Sequence, residues 1–282
     1  MKRAFIVPLG RLKKRISAIS KMIRIDRVSV YAAETAFFII LSAVPFLMLT
    51  VTVAGYIVDG NVDYYLSLIA TYIPGVIGDY VEAGMLAIVK RPMSLSFSVV
   101  ATFWSASKGI RAARRGVRSV YGESADSFLR EALTGLIFTA VFVVLIIAVL
   151  VFFVFGDALV NLLAKLIPSI HGIVSLTVAL FPIIFTVILI FVFAFVLRAF
   201  TPAVAGMSLY RQHLPGAALA SVGWLAYSYI FSLFIAEFSS MPAIYGSLSV
   251  IMILMIWIYM IMYIFLIGAE FNKYLYMRKQ KK

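Results

Sequence analysis

Cysteine is absent from this sequence, which excludes a disulfide framework and a thiolate metal site and leaves the redox compartment unread. Histidine is almost absent: His171 and His213 are the only two, a poor supply of ligands for metal chemistry. Charge is scarce as well, at 13% of the 282 residues, with 12 acidic side chains. What fills the chain is apolar. Hydrophobic residues make up 63% of it and the mean hydropathy is +1.05, far beyond the roughly half-apolar usage of soluble domains. The composition is that of a membrane protein. No cleavable signal is expected, because the first apolar run begins only after a long basic stretch and outlasts a signal-peptide core.

Six runs approach the roughly 20 apolar residues that a helix needs to cross the hydrocarbon layer. They cover residues 28–58, 94–110, 132–155, 174–197, 216–235 and 245–267. The pattern predicts an all-α polytopic protein, a six-helix transmembrane bundle. The second run is short and rich in hydroxyls, and it also fits a re-entrant or partly buried segment.

An even count places both termini on one side. Of the 25 Lys and Arg residues, 22 fall on that side and only Lys90, Arg91 and Lys165 on the other, which also holds Asp59, Asp63, Asp79, Glu82, Asp157 and Glu237. Cytoplasmic loops carry the excess of bases, so both termini are predicted to be cytoplasmic and the protein to be multi-pass in the inner (cytoplasmic) cell membrane. The net charge of +13 and the pI of about 9.9 then need no nucleic acid. Membrane lipids with anionic headgroups on the cytoplasmic side are the expected partners.

Three regions follow. Residues 1–27 form a cytoplasmic basic segment in which Leu12, Ile16, Ile19 and Ile23 recur at helical spacing among Arg11, Lys13, Lys14, Arg15 and Lys21, an amphipathic helix lying on the membrane surface. Residues 28–274 form the six-span domain, with an outer helical cap over 59–91 broken at Pro74-Gly75. Residues 275–282 are a basic cytoplasmic tail.

Polar residues inside the spans are the candidates for function. Glu34 lies about 10 Å inward from Arg27 at the usual helical rise, and an ionised carboxylate there costs a few kcal/mol unless it faces protein and finds a cation. Leu41 and Pro45 fall within about 20° of it around the helix, which predicts that this face looks inward. Ser94, Ser98, Thr102 and Ser105 make a hydroxyl stripe on the second span; Ser221, Ser228 and Ser232 align on the fifth; Tyr259, Tyr263 and Glu270 align on the sixth. Packed together, these stripes and Ser42 would form a polar seam. Close packing is the simpler account of any single serine, since small hydroxyl residues let membrane helices approach. For Glu34 and Glu270, function and interface pairing both stand, and Arg198 lies at a similar depth as a partner for either. Pro45 and Pro182 predict kinks or local unwinding.

Lys108, Arg111, Arg114, Arg115 and Arg118 gather on one side of a helical extension of the second span. They read as anchoring positive charge on the cytoplasmic side, or as contacts for an anionic substrate or phospholipid headgroup. No phosphate-cradling glycine loop with its lysine appears, nor a Ser/His/Asp arrangement, so neither an ATP-driven pump nor another enzyme is expected, and no cofactor.

Several strings resemble the YihY/BrkB family of bacterial inner-membrane proteins: "AFFIILSAVPFLM", "WSASKGIRAARRGVRSVYG", "LPGAALASVGW" and "FSSMPAIYGSLSVIMILMIWIYMIMYIFLIGAEFNKYL". The likeness runs from about residue 23 to 274 and is most specific in the last string, with Tyr245-Gly246, Trp257 and Gly268-Ala269-Glu270. The resemblance implies a six-span cytoplasmic-membrane protein with a transport or envelope role and supplies no catalytic residue. The family has also carried an old ribonuclease label. Metal-assisted phosphodiester hydrolysis needs clustered His and carboxylate ligands, and here His171 and His213 are predicted on opposite sides with the acids scattered over both. The expected function is export or transport of a small solute along the seam. Lipid handling, with a groove that takes an anionic headgroup from the basic string, and a non-transport envelope scaffold are the alternatives. Six spans are modest for a solitary transporter, which favours a homodimer.

Overall fold

The computed structural model describes residues 20–57, 95–122, 127, 129–141, 170–237 and 247–280, and every regular element among them is helical. The long helices are α1 (Val28–Ile57), α2 (Leu95–Val120), α3 (Ile170–Phe200), α4 (Leu214–Glu237) and α5 (Ser247–Gln280). Two 3₁₀ turns, Ala203–Ala205 and Tyr210–Gln212, carry the chain from α3 to α4. Residues 20–25 and 129–141 are helical too.

Helices α1, α3, α4 and α5 overlie the expected runs at 28–58, 174–197, 216–235 and 245–267. The 129–141 segment opens the run at 132–155, whose remainder lies outside the described residues, as do the outer cap at 59–91 and residues 1–19 of the amphipathic segment. Two described helices, Leu214–Ile235 and Ile251–Gln280, are long and apolar enough to cross a membrane by length and composition. Val28–Ala43 and Phe185–Phe200 are apolar over shorter stretches.

The second element covers the expected run at 94–110 from Leu95 onward together with its expected helical extension. It runs unbroken to Val120 and takes the basic string with it. The reason is its other face: Ala112, Ala113, Val117 and Val120 are buried, so an apolar stripe continues at helical spacing beneath the charges. The helix stops where Gly122 turns to φ 74°, with the Tyr121 and Gly122 amides bonded back to the carbonyls of Arg118 and Ser119. Both α1 and α3 stay helical through Pro45 and Pro182, so the expected unwinding is not found. One proline removes one backbone bond, and the rest of a helix of 30 residues holds it.

The described core lies at one end of the bundle, where Val28 and Ala32 of α1, Ala113 and Val117 of α2, Leu197 of α3, Ala217 of α4 and Leu266 and Ala269 of α5 close together. We call this the basic end. Small residues set the approach there. A Cβ at Gly216 would overlap the Gly268 carbonyl oxygen, and one at Gly268 would overlap that of Gly216, so α4 and α5 touch backbone to backbone. Between α1 and α2, Tyr31 packs over Gly116 and Ile39 over Gly109. The chain enters α1 through Arg27, whose φ of 52° is the left-handed conformation that usually calls for glycine.

Candidate functional site

The start of α4 shows how the basic end is assembled. His213 precedes the helix, but its ring is turned elsewhere: Nε2 lies 3.1 Å from the Met207 carbonyl, so the usual side-chain cap is missing. Pro215 has no amide to offer. Asn272 of α5 supplies the cap instead. Its Oδ1 accepts from the Gly216 amide at 2.7 Å, and its Nδ2 donates to the His213 carbonyl at 3.1 Å. The Gly216–Gly268 contact is what brings it within reach. His213 is fully buried, its Nδ1 has no protein partner, and burial lowers the pKa of the ring while the nearby Arg198 lowers it further against the Met207 bond.

Beside this cap lies Glu270, two residues earlier on α5. It is fully buried, and neither carboxyl oxygen has a hydrogen-bond partner. Its charged neighbours are Asp26, at the entrance to α1, and Lys273. Lys273 gives its ammonium to Asp26 at 2.9 Å, and the Asp26 carbonyl accepts from Ser119 Oγ at 3.0 Å, which ties the entrance of α1 to α2 and α5. Tyr121 faces the same place from the end of α2. Its hydroxyl has no hydrogen-bond partner, and burial pushes its pKa up to about 12, against the lowering effect of Thr201 and with a small raising effect from Glu270.

A second cluster holds Glu34. Arg115 of α2 pairs with Glu34 of α1 on one side and with Glu131 of the 129–141 segment on the other, the latter at 2.7 Å. The expected partner, Arg198, is exposed and is not the one that Glu34 takes. The buried stripe of α1 is Val28, Ala32, Thr35 and Ala36, while Leu41, on the line of Glu34, is 44% exposed. The face that carries Glu34, Leu41 and Pro45 is thus a flank and not the inner face. A flank suffices because Arg115 reaches it from the neighbouring helix.

The hydroxyl stripes divide. Ser42, Ser105 and Ser232 bond to carbonyls of their own helices, which is the packing behaviour of small hydroxyls. Thr102 and Ser221 are fully buried with no partner for their hydroxyls, and so is the Ser228 oxygen. Tyr263 stacks on Tyr259 with ring centroids 6.0 Å apart. Pro45 is half-buried; the Ser98 side chain lies outside the described residues.

Of the basic string, Arg114 and Arg118 are buried, Arg115 is the ion-pair centre, and Lys108 sits mid-helix against Trp104 and Phe38. Arg111 donates from Nε to the Ser107 carbonyl at 3.4 Å. The residues that the sequence reading missed are Asp26, Lys273 and Glu131. Their signal was scarcity, since only six acids lie on the side that holds 22 bases. Among the described residues no three His, Cys, Asp or Glu side chains gather as metal ligands.

Apolar helices long enough to span, glycine-tight crossings and ion pairs gathered at the basic end define a helical membrane protein. Comparison with known sequences makes this specific. The chain belongs to the family described as virulence factor BrkB, which matches residues 19–282. It is also 31% identical over 252 residues to a protein of Bacillus subtilis (strain 168) called "putative ribonuclease-like protein YfkH", covering 88% of this chain and 90% of that one. No solved structure matches. The family description names no reaction.

Proposed function

We propose that this protein moves a small solute across the membrane, with Glu270 as the group that takes up and releases a proton or a cationic moiety in the cycle. The observation that carries this reading is the state of Glu270: a carboxyl with no solvent contact and no donor, next to the acidic side chain of Asp26. Buried polar groups are normally hydrogen-bonded, and an acid inside a membrane bundle is costly and most often functional. The buried hydroxyls of Ser221, Ser228 and Thr102, free of protein partners, continue the polar character along α4 and α2. A scaffold has no need of such groups, because apolar residues of the same size would pack as well. Lys273 and Asp26 tie the entrance of α1 to α5, and Glu270 lies against that pair.

Purified protein in liposomes carrying a pH gradient and screened with labelled metabolites tests this reading. Gradient-driven flux of at least one solute class is expected, and Glu270→Gln should abolish it while leaving the protein folded. No flux for any class, or full flux in the Gln variant, would sink the proposal.

A further inference from the structure

Lys108 points the wrong way for a residue that only anchors. Anchoring lysines in membrane helices extend their stems so that the ammonium reaches the headgroups. Lys108 lies midway along α2, level with Phe38, which is about 15 Å along α1 from Val28 at the usual helical rise. Its Nζ is 3.5 Å from the centroid of a Trp104 ring and 5.5 Å from that of Phe38. Trp104 is one turn farther from the basic end and exposed, so the ammonium is directed along the outer face of α2, away from that end. Two aromatic faces attract it there without neutralising it.

Lys108 belongs to a stripe. Trp104, Lys108, Arg111 and Arg115 follow at intervals of four, three and four residues and share one face of α2. Arg115 shows what flanks that face, since it touches Glu34 of α1 and Glu131 of the 129–141 segment at once. Farther along the same face, Arg111 lays its stem against the 129–141 segment, where a Cβ at Gly135 would stand 2.9 Å from Arg111 Cγ. The acids end at Arg115. Among the described residues neither Lys108 nor Arg111 has a carboxylate partner. A cation at such a depth costs a few kcal/mol unless something anionic offsets it. The surface around Lys108 is apolar and open: the Trp104 ring under its ammonium is 58% exposed, and Leu41, one turn past Phe38 on α1, is 44% exposed. Positive charge next to exposed apolar surface suits a lipid better than a free anion, whose surroundings would be polar throughout.

We infer that the cleft between α1 and the 129–141 segment, floored by Lys108 and Arg111, binds the phosphate of an anionic phospholipid, whose acyl chains lie along Leu41 and Trp104. Arg111 offers its guanidinium fork to two phosphate oxygens and Lys108 a point charge to a third. This site is separate from Glu270 and stands whether or not Glu270 drives flux.

Trp104 is its own reporter. Full-length protein carrying Trp224→Phe and Trp257→Phe retains it as the single tryptophan, and lipids with brominated chains quench tryptophan on contact. Brominated phosphatidylglycerol should quench Trp104 at a lower mole fraction than brominated phosphatidylcholine, by about five-fold for each cation engaged. Lys108→Gln with Arg111→Gln should bring the two lipids to parity, and Lys108→Arg should keep the preference. If the double variant fails to fold, Arg111→Gln alone should cut the preference by about five-fold. Equal quenching by both lipids in the parent, or a preference that survives loss of the cations, overturns the assignment. Displacement of the anionic lipid by millimolar inorganic phosphate also overturns it, in favour of a soluble anion.

Discussion

Two helix pairs in this molecule are held by different physics. Helices α4 and α5 meet through missing side chains: Gly216 and Gly268 let the backbones touch, and Asn272 uses the proximity to cap α4. Helices α1 and α2 meet through side chains that carry charge, with Arg115 between Glu34 and Glu131 and the Asp26 carbonyl bound by Ser119. The first junction is defined by shape and tolerates no added atom. The second has glycine contacts of its own, at Gly109 and Gly116, and depends on charge balance as well. A membrane protein needs both kinds, because lipid removes most of the hydrophobic drive between helices and leaves packing and polar contacts to decide which helices pair.

The contrast is broken most severely at Gly216. Replacing it with leucine puts carbon where the Gly268 carbonyl sits, forces α4 from α5 and pulls Asn272 off its amide. A loss of about 3 kcal/mol or more is expected, read as a drop in melting temperature in detergent; a melt close to the parent's would refute the backbone contact.

Charge balance is tested next. Arg115→Met leaves Glu34 and Glu131 without their shared cation, and because all three side chains are partly shielded, at 28%, 32% and 12% exposure, a loss of about 2 kcal/mol is expected. Adding Glu34→Gln and Glu131→Gln to that variant should recover most of the loss. Failure to recover would show that Arg115 acts through packing alone. The same triple change at the shape-defined junction has no counterpart, which is what separates the two.

The smallest effect belongs to Tyr121 and is confined to alkaline pH. Its folded pKa of about 12 stands above the ordinary value near 10, so the unfolded chain loses the proton first. Stability is therefore intact below pH 10 and declines as pH rises toward 12. Melting curves at pH 9 and pH 11 should show a smaller alkaline decline in Tyr121→Phe than in the parent. Equal declines would mean that the hydroxyl is not shielded.

The sequence disclosed the helices it could describe by apolarity alone: α1, α3 and α4 begin and end close to the expected positions, and α5 begins close to its own but runs on to Gln280, past the expected 267. Apolarity alone stops α2 near residue 110, because hydropathy averages around the helix and the charges on one face hide the buried Ala112, Ala113, Val117 and Val120 on the other; the helical spacing of the basic residues is what extends it. Glu34 and Glu270 stood out as acids in oily surroundings, yet their neighbours did not. Asp26 and Lys273 are far apart in the chain, and helical periodicity carries no information across such a distance. Lys108 looked like the end of a span for the same reason that Arg115 looked like an anchor. Only the register of α1 against α2, set by Tyr31 over Gly116 and Ile39 over Gly109, shows how deep each lies.

The bond between Asp26 and Lys273 joins residues 247 positions apart, the start of the first long helix and the end of the last. During synthesis Asp26 thus emerges 247 residues before its partner, and the first hairpin enters the bilayer with its doorway unlatched. A ribosome that stalls before Lys273 releases a product whose opening acid has no mate.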